Sequence, residues 1–395
     1  MASPRVAQLS ANPADANPYV ALLAAGLTDA GIETTIVDDP GTDGLPQAAQ
    51  HADIIHLHWL ELWGRPPYHS LQHLARWRAP GRGLRRWLEP ALNNPARVET
   101  RRERFLDRFF AALVDYQAGG GKLVYTLHNW GQHEGEGDRV EQAALDRLLQ
   151  LADAVHVHAE YIVPELQARL PNSASPVISV IPHGNYIGAY SNTVDRHEAR
   201  RRLEVPNDAF AILFFGLIRP YKGLEELLPA FAQVADPDAR LLIAGQSRPR
   251  DYAGQLASNA SDSRVRWHPQ FVPPADVQVW MNAADVVVLP YRRITTSGAA
   301  MLAWSFGKPV IAPRLPAFVE LMDKASFLGV LYDPTDPTAL RDALQQARDI
   351  DSEARHDQII DWANQFNWQT IGQRFADLYE QVRPGDRQSV LAPRP

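Results

Sequence analysis

Short runs of Val, Ile, Leu and other apolar residues alternate along this chain with longer stretches in which apolar positions recur at helical spacing. Runs this short and this apolar read as strands buried on both faces, and the longer stretches as amphipathic helices. Their alternation predicts an α/β protein of parallel sheets covered by helices. Six strands are predicted in the first half, over 6–9, 33–37, 54–58, 123–127, 154–158 and 177–181. Six more follow, over 211–215, 239–244, 265–267, 286–290, 310–312 and 330–332. Each series makes a Rossmann-like domain, and a chain of 395 residues exceeds one ordinary core. The break is expected between Ile181-Pro-His-Gly-Asn185 and the polar stretch 192–201, giving domains over 1–188 and 200–367. An amphipathic helix over 368–383 is expected to return to the first domain, and the Pro- and Arg-rich residues 384–395 to form a disordered tail.

Where strands end, the unusual residues begin. Strand 211–215 runs into Phe215-Gly-Leu-Ile-Arg-Pro-Tyr-Lys-Gly223, a glycine turn with two cations ahead of a helix starting near Leu224. Glycine allows close approach of a ligand, proline stiffens the loop, and Arg219 and Lys222 stand beside the N–H groups of a helix start. This is the outline of a phosphate site. A second strand, loop and helix follows at Val286-Val-Val-Leu-Pro-Tyr-Arg-Arg-Ile-Thr-Thr-Ser-Gly-Ala299, where Thr296, Ser297 and Gly298 sit at a predicted helix N-terminus. Two such loops in one domain point to a nucleotide diphosphate. In the first half, Asn17 is expected to cap a helix with Pro18 at its first position.

Composition narrows the reading. A net charge of −7 argues against nucleic acid as the main partner, and the absence of cysteine excludes disulfides, thiolate metal sites and a cysteine nucleophile. No apolar run has the length of a transmembrane helix and no export signal precedes the first strand, so a cytoplasmic location is expected. One segment departs from the acidic balance: between Glu61 and Glu89 six arginines and no acidic residues are interleaved with Trp63, Tyr68, Trp77 and Trp87. Such a segment suits an anionic lipid surface, so residues 63–88 are expected to hold the protein at the inner face of a membrane. Two His-x-His pairs, His56/His58 and His156/His158, could chelate a metal, but no Asp or Glu at comparable spacing completes a ligand set, and no metal is expected.

The motif order then becomes specific. Gly216-Leu-Ile-Arg-Pro-Tyr-Lys-Gly223, Leu-Leu-Ile-Ala-Gly245, Leu-Pro-Tyr291, Ser297-Gly298 and Gly307-Lys-Pro-Val-Ile-Ala312 resemble the donor domain of GT-B glycosyltransferases related to family 4. Asn17-Pro-Tyr19, Ile55-His-Leu-His-Trp-Leu-Glu61, Thr126-Leu-His-Asn129 and Pro182-His-Gly184 extend the resemblance to the GDP-mannose:glycolipid β-mannosyltransferases of xanthan-type exopolysaccharide synthesis. The resemblance implies two Rossmann-like domains facing across a cleft, a nucleotide-sugar donor, no cofactor and a lipid-linked sugar acceptor. Donor contacts fall on Gly216, Arg219, Lys222, Gly245, Tyr291, Thr296, Ser297 and Gly298, and acceptor contacts on Asn17, Tyr19, Trp59, Asn129 and His183. Retaining family 4 enzymes carry two glutamates eight positions apart, and those places hold Ile294 and Leu302 here. The missing carboxylate favours inversion, with a general base among His128, Glu134, Glu61 and His58, and His128 first because its imidazole titrates near working pH. His56 is assigned to the strand face opposite His58 and to a structural role. Alternatives are a retaining transferase using a UDP-sugar, a sugar phosphorylase of the same fold, and a non-catalytic nucleotide-sugar-binding subunit of a polysaccharide assembly complex.

Overall fold

A computed structural model of the chain describes residues 3–10, 17–37, 45, 47–60, 95–131, 139–259 and 262–383. Its strands form two parallel six-stranded sheets. The first contains β1 (Arg5–Leu9), β2 (Glu33–Val37), β3 (Ile54–His58), β4 (Lys122–Thr126), β5 (Ala154–Val157) and β6 (Val177–Val180) in the order β2-β1-β3-β4-β5-β6. The second contains β7 (Ala211–Phe215), β8 (Arg240–Ala244), β9 (Val265–His268), β10 (Val286–Val288), β11 (Val310–Pro313) and β12 (Gly329–Tyr332) in the order β12-β11-β10-β7-β8-β9. All twelve fall on the predicted apolar runs. The central residues of the inner strands, such as Ile55, Val124, Leu213 and Val287, are fully buried, as strands covered on both faces require, whereas those of the edge strands β2, β6, β9 and β12 are half-buried or exposed.

In each sheet the first strand lies inside, with the chain moving to one side and then crossing to the other. The strand order therefore reverses between β1 and β3 in one sheet and between β7 and β10 in the other. Open α/β sheets place ligands at such switch points, beyond the carboxyl ends of the strands. The loops that leave β7 and β10 are the two loops with the phosphate-site signature.

Register at these pairs is set by a device used three times. An Ala-Asp pair precedes β3, β5 and β10, and each aspartate accepts a backbone N–H from the first or second residue of a neighbouring strand. Asp53 accepts from Arg5 at 2.9 Å, Asp153 from Leu123 at 2.9 Å and Asp285 from Ala211 at 2.8 Å. Each carboxylate is also matched by a cation: Arg5, Lys122 and Arg200 respectively. Arg5 holds the Asp53 carboxyl below its ordinary pKa, chiefly by hydrogen bonding. Arg200 is fully buried, and besides Asp285 it donates to the carbonyls of Ala283, Pro206, Asn207 and Ala209. Removing one member of so buried a pair costs about 3 to 5 kcal/mol.

The chain divides into two compact units. One comprises Met1–Val157, Leu166–Ser179 and Gly372–Pro395, the other His158–Glu165 and Val180–Ile371. The break therefore lies near Ser179, before the stretch at 188–200 that the sequence suggests, because Ile181-Pro-His-Gly-Asn185 is bonded into the second unit. Asn185 N–H donates to Phe366 O, Trp368 Nε1 donates to Asn185 O, and Tyr186 N–H donates to Ser305 Oγ. Gly184 leaves room for the Trp368 indole, which a Cβ there would meet at 2.5 Å. Helix Trp368–Val382 begins in the second unit and passes into the first at Gly372. Gly372 abuts the backbone of Gly26 so closely that a Cβ would lie 2.2 Å from it.

Candidate active site

In the second unit, β7 delivers the chain into a left-handed turn at Gly216 (φ 125°), a 3-10 turn over Pro220–Lys222 and a second left-handed residue, Gly223 (φ 75°), from which helix Leu224–Ala232 starts. A Cβ on Gly223 would lie 1.8 Å from Pro290 O, so only glycine lets this loop close against the one after β10. The loops are joined by Arg292 N–H donating to Tyr221 O at 2.9 Å, and Arg292 is held by Glu225 and Glu226. Gly245 (φ 142°) follows β8, where a Cβ would meet Gly216 O at 1.9 Å. Close packing of two strand ends thus accounts for Gly245.

Lys222 Nζ lies 3.7 Å from the centre of the Tyr291 ring and 5.0 Å from that of Tyr221, a cation–π arrangement. Burial, and then repulsion from Arg219, push its pKa down to about 7. Arg219 has a buried Nε with no hydrogen-bond partner among the described residues. Two cations are therefore crowded where an anion would relieve both. The next loop supplies donors: Thr296 Oγ1 is buried without a partner among the described residues, and Ser297 Oγ caps helix Gly298–Ser305 by accepting from Ala300 N–H at 3.2 Å. Tyr161, in a turn whose N–H groups bind Glu320, fixes this loop by donating to Thr295 O at 2.6 Å. Ile294 is half-buried and Leu302 buried, so neither glutamate position offers a side-chain acceptor.

His183 belongs to this unit, apart from the other residues expected on the acceptor side. A Cβ on Gly298 would lie 3.5 Å from His183 Nε2 and 3.2 Å from the Tyr186 hydroxyl. His183 Nδ1 donates to Gly184 O at 2.7 Å, which leaves the lone pair on Nε2, and burial pushes its pKa down to about 4. It is neutral at physiological pH and faces the helix N-terminus as an acceptor.

The first unit gathers Tyr19, His58, Trp59 and His128 at the ends of β3 and β4 and the start of helix Tyr19–Asp29. His128 is stacked on Trp59 at 4.1 Å and meets the Tyr19 ring edge-on at 5.1 Å. Trp59 holds φ at 45°, uncommon for a bulky residue and a form of strain that collects at functional sites. Asn129 continues the loop from His128. Asn17 accepts from Tyr19 N–H at 3.1 Å, and the cap position is Pro18, one residue later than the sequence suggests. His56 does not lie opposite His58. Residues i and i+2 of a strand share a face, and the two rings are 4.2 Å apart. Their nitrogens are engaged by Tyr379, Thr126, Gln8 and His128. Among the described residues no group of three or more acidic, His or Cys side chains is placed to hold a metal. Glu61, Glu134 and segment 63–88 lie outside the described residues.

Several of these partners are not marked in the sequence. Tyr161 and Tyr186 reach the loops of the second unit, and Tyr379 the histidines of the first, from distant positions. Gln8 did carry a signal, a lone polar residue in an apolar strand paired in register with His56.

The comparisons identify the class to which these two sheets and their loops belong. Residues 16–184 match the model for Glycosyltransferase Family 4 and residues 209–349 that for Glycosyl transferases group 1. The two matched segments together span most of the chain, which belongs to the GT-B glycosyltransferases that join these two halves. It is 28% identical over 309 residues, 77% of this chain and 81% of the relative, to the GDP-mannose:glycolipid 4-beta-D-mannosyltransferase of Xanthomonas campestris pv. campestris. It is 27% identical over 301 residues, 69% of this chain and 64% of the relative, to a D-inositol 3-phosphate glycosyltransferase of Nocardioides. In fold it is similar to sucrose-phosphate synthase from Thermosynechococcus elongatus (TM-score 0.66, 18% identity, 96% and 99% of the two chains). It is equally similar to Anabaena HepE in complex with UDP-glucose (TM-score 0.66, 17% identity, 96% and 100%).

Proposed function

We propose that this enzyme transfers mannose from GDP-mannose to a sugar on a lipid-linked acceptor, with inversion to a β linkage. The observation that carries the reading is the paired cation loop. Arg219 and Lys222 are crowded and underpaired beside the Thr296–Gly298 helix start, an arrangement suited to the diphosphate of a nucleotide sugar and to the charge that develops as it departs. The similarity to the Xanthomonas enzyme supports GDP-mannose and a glycolipid acceptor. Ile294 and Leu302 at the glutamate positions support inversion, since no carboxylate there can face the donor sugar. His128 serves as the base: it takes the proton of the acceptor hydroxyl as that oxygen attacks the anomeric carbon and the nucleoside diphosphate leaves. Tyr19, Trp59 and Asn129 frame the acceptor, and segment 63–88 attaches the enzyme to anionic lipid, which liposome co-sedimentation of an Arg82/Arg85/Arg86 charge-reversed variant tests.

Titration calorimetry with GDP, UDP, dTDP and ADP tests the donor. Selective GDP binding supports mannosyl transfer, and NMR of the product's anomeric proton then reads the linkage. The UDP-glucose complex of HepE motivates a second reading, retaining transfer from a UDP-sugar. Preference for UDP together with an α product would establish it.

A further inference from the structure

Tyr186 is only 6% exposed, and its backbone is fastened to helix Gly298–Ser305. Its N–H donates to Ser305 Oγ at 2.8 Å, and Ser305 Oγ donates to Met301 O at 2.6 Å. The residue before it is fixed as firmly. Asn185 N–H donates to Phe366 O at 2.8 Å, Asn185 Nδ2 donates to Ala363 O at 2.9 Å, and Asn185 O accepts from Trp368 Nε1 at 2.6 Å. From this anchor at the helix's last residue the side chain reaches back to its first. The hydroxyl lies 3.2 Å from where a Cβ on Gly298 would stand.

Two features at this spot are not explained by folding alone. A buried phenol ordinarily finds a hydrogen-bond partner, and phenylalanine would fill the same space without needing one. Among the described residues the Tyr186 hydroxyl has no such partner. The second feature is Gly298 itself, which is not in the left-handed region, so its backbone does not demand glycine. What the missing side chain provides is room, since a methyl there would press on the Tyr186 hydroxyl and cover the helix start. The first N–H groups of a helix have no partner within it, and Ser297 Oγ takes only that of Ala300. Thr296, just before the cap, carries a second buried hydroxyl without a partner among the described residues. Burial, with a smaller contribution from Tyr190, raises the pKa of Tyr186, so its hydroxyl keeps the proton it would donate.

We propose that Tyr186 is a further donor-binding residue, its hydroxyl donating to an oxygen of the phosphoryl group held at the N-terminus of helix Gly298–Ser305. The inference rests on the reading of the two loops as a diphosphate site. Arg219 and Lys222 bring charge to the diphosphate from the loop after β7, whereas Tyr186 brings a neutral donor from the stretch 182–186, which belongs to no strand or helix. A hydroxyl that is held in place and unpaired breaks no protein bond when the anion arrives, so its whole contribution appears as affinity.

The test is Tyr186→Phe in the full-length protein, which keeps the ring and removes only the hydroxyl. Without nucleotide its Tm should equal or exceed that of the wild type, because an unpaired buried hydroxyl has gone. Titration calorimetry should show GDP binding weakened about tenfold, the share of one hydrogen bond to a charged group, with guanosine, which has no phosphate, bound alike by both proteins. Where the wild type selects UDP, UDP and uridine replace them. GDP affinity within about twofold of wild type, a Tm lowered in the absence of nucleotide, or an equal loss for guanosine would overturn the proposal. If Arg219→Ala weakens GDP binding and Tyr186→Phe does not, this proposal alone fails. If the wild type binds no nucleoside diphosphate, the diphosphate reading fails and takes the proposal with it, so the two failures are distinguishable.

Discussion

The carboxyl ends of the two sheets are built alike and charged differently. Beyond β3 and β4 the polar groups are buried and joined to one another: His58, Gln8, Tyr379 and His56 are hydrogen-bonded among themselves. Beyond β7 and β10 two cations repel each other, a guanidinium Nε and a threonine hydroxyl lack partners among the described residues, and glycines bring backbone within reach. A site that must hold a proton at a defined atom benefits from complete satisfaction, because every bond restrains a tautomer. A site that must take up an anion benefits from remaining underpaired, because the ligand then supplies what the protein withholds. The same Rossmann-like frame, registered by the same aspartate device, carries both.

The largest expected effect breaks the first region. His128→Ala removes the proposed base and should lower kcat by about 10²-fold or more, with nucleotide binding by calorimetry unchanged. Full activity would move the base to Glu61 or Glu134. Next, Arg219→Ala and Lys222→Ala should each lower transfer by more than about tenfold and weaken GDP binding in parallel, since each removes a charged contact to the diphosphate. Near-normal activity of both variants would remove the phosphate assignment. A smaller effect separates fold from charge. Gly223→Ala places a Cβ against Pro290 O at a residue with φ 75° and should cost about 2 kcal/mol, seen as a lower Tm, with no change in charge.

The fold was legible because short β-branched runs have few other uses in a chain with this spacing, and the donor loops because glycine and paired cations at a strand end are rarely neutral ornament. Arg219, Lys222 and Ser297 could each be picked from the sequence for that reason. Gln8 and Tyr379 could not be paired, since 371 residues separate them and only folding of the last helix brings them together. The domain break lies elsewhere than composition suggests for a related reason. Polar residues 192–201 have the composition of a linker, yet Asp195 caps helix Arg196–Arg202, and that helix carries the buried Arg200 that anchors Asp285. The Ala-Asp pairs at 52–53, 152–153 and 284–285 were visible as a repeat, and their meaning lies in the neighbouring strand, which sequence order does not give.

The smallest expected effect sharpens the second region through pH. The Lys222 ammonium has an ordinary pKa of 10.5 and is held at about 7 in the protein without ligand. Between those values the unfolded chain binds more protons than the folded one, so this group's contribution to stability rises with pH across that interval, and its destabilising effect is fully present below pH 7. A bound diphosphate reverses the balance. Its negative charge raises the Lys222 pKa again, so the complex holds a proton that the free protein has lost above pH 7. GDP binding at pH 8 should therefore take up protons, measured as a dependence of the calorimetric enthalpy on the buffer's ionisation heat, and affinity should fall as pH rises from 7 to 9, by at most about tenfold per unit. Lys222→Arg keeps a charge that does not titrate in this range, so its proton uptake should vanish and its pH dependence flatten even if its affinity is lower. Equal proton uptake in wild type and Lys222→Arg would place the titrating group elsewhere and remove the distinction between a satisfied sheet end and an expectant one.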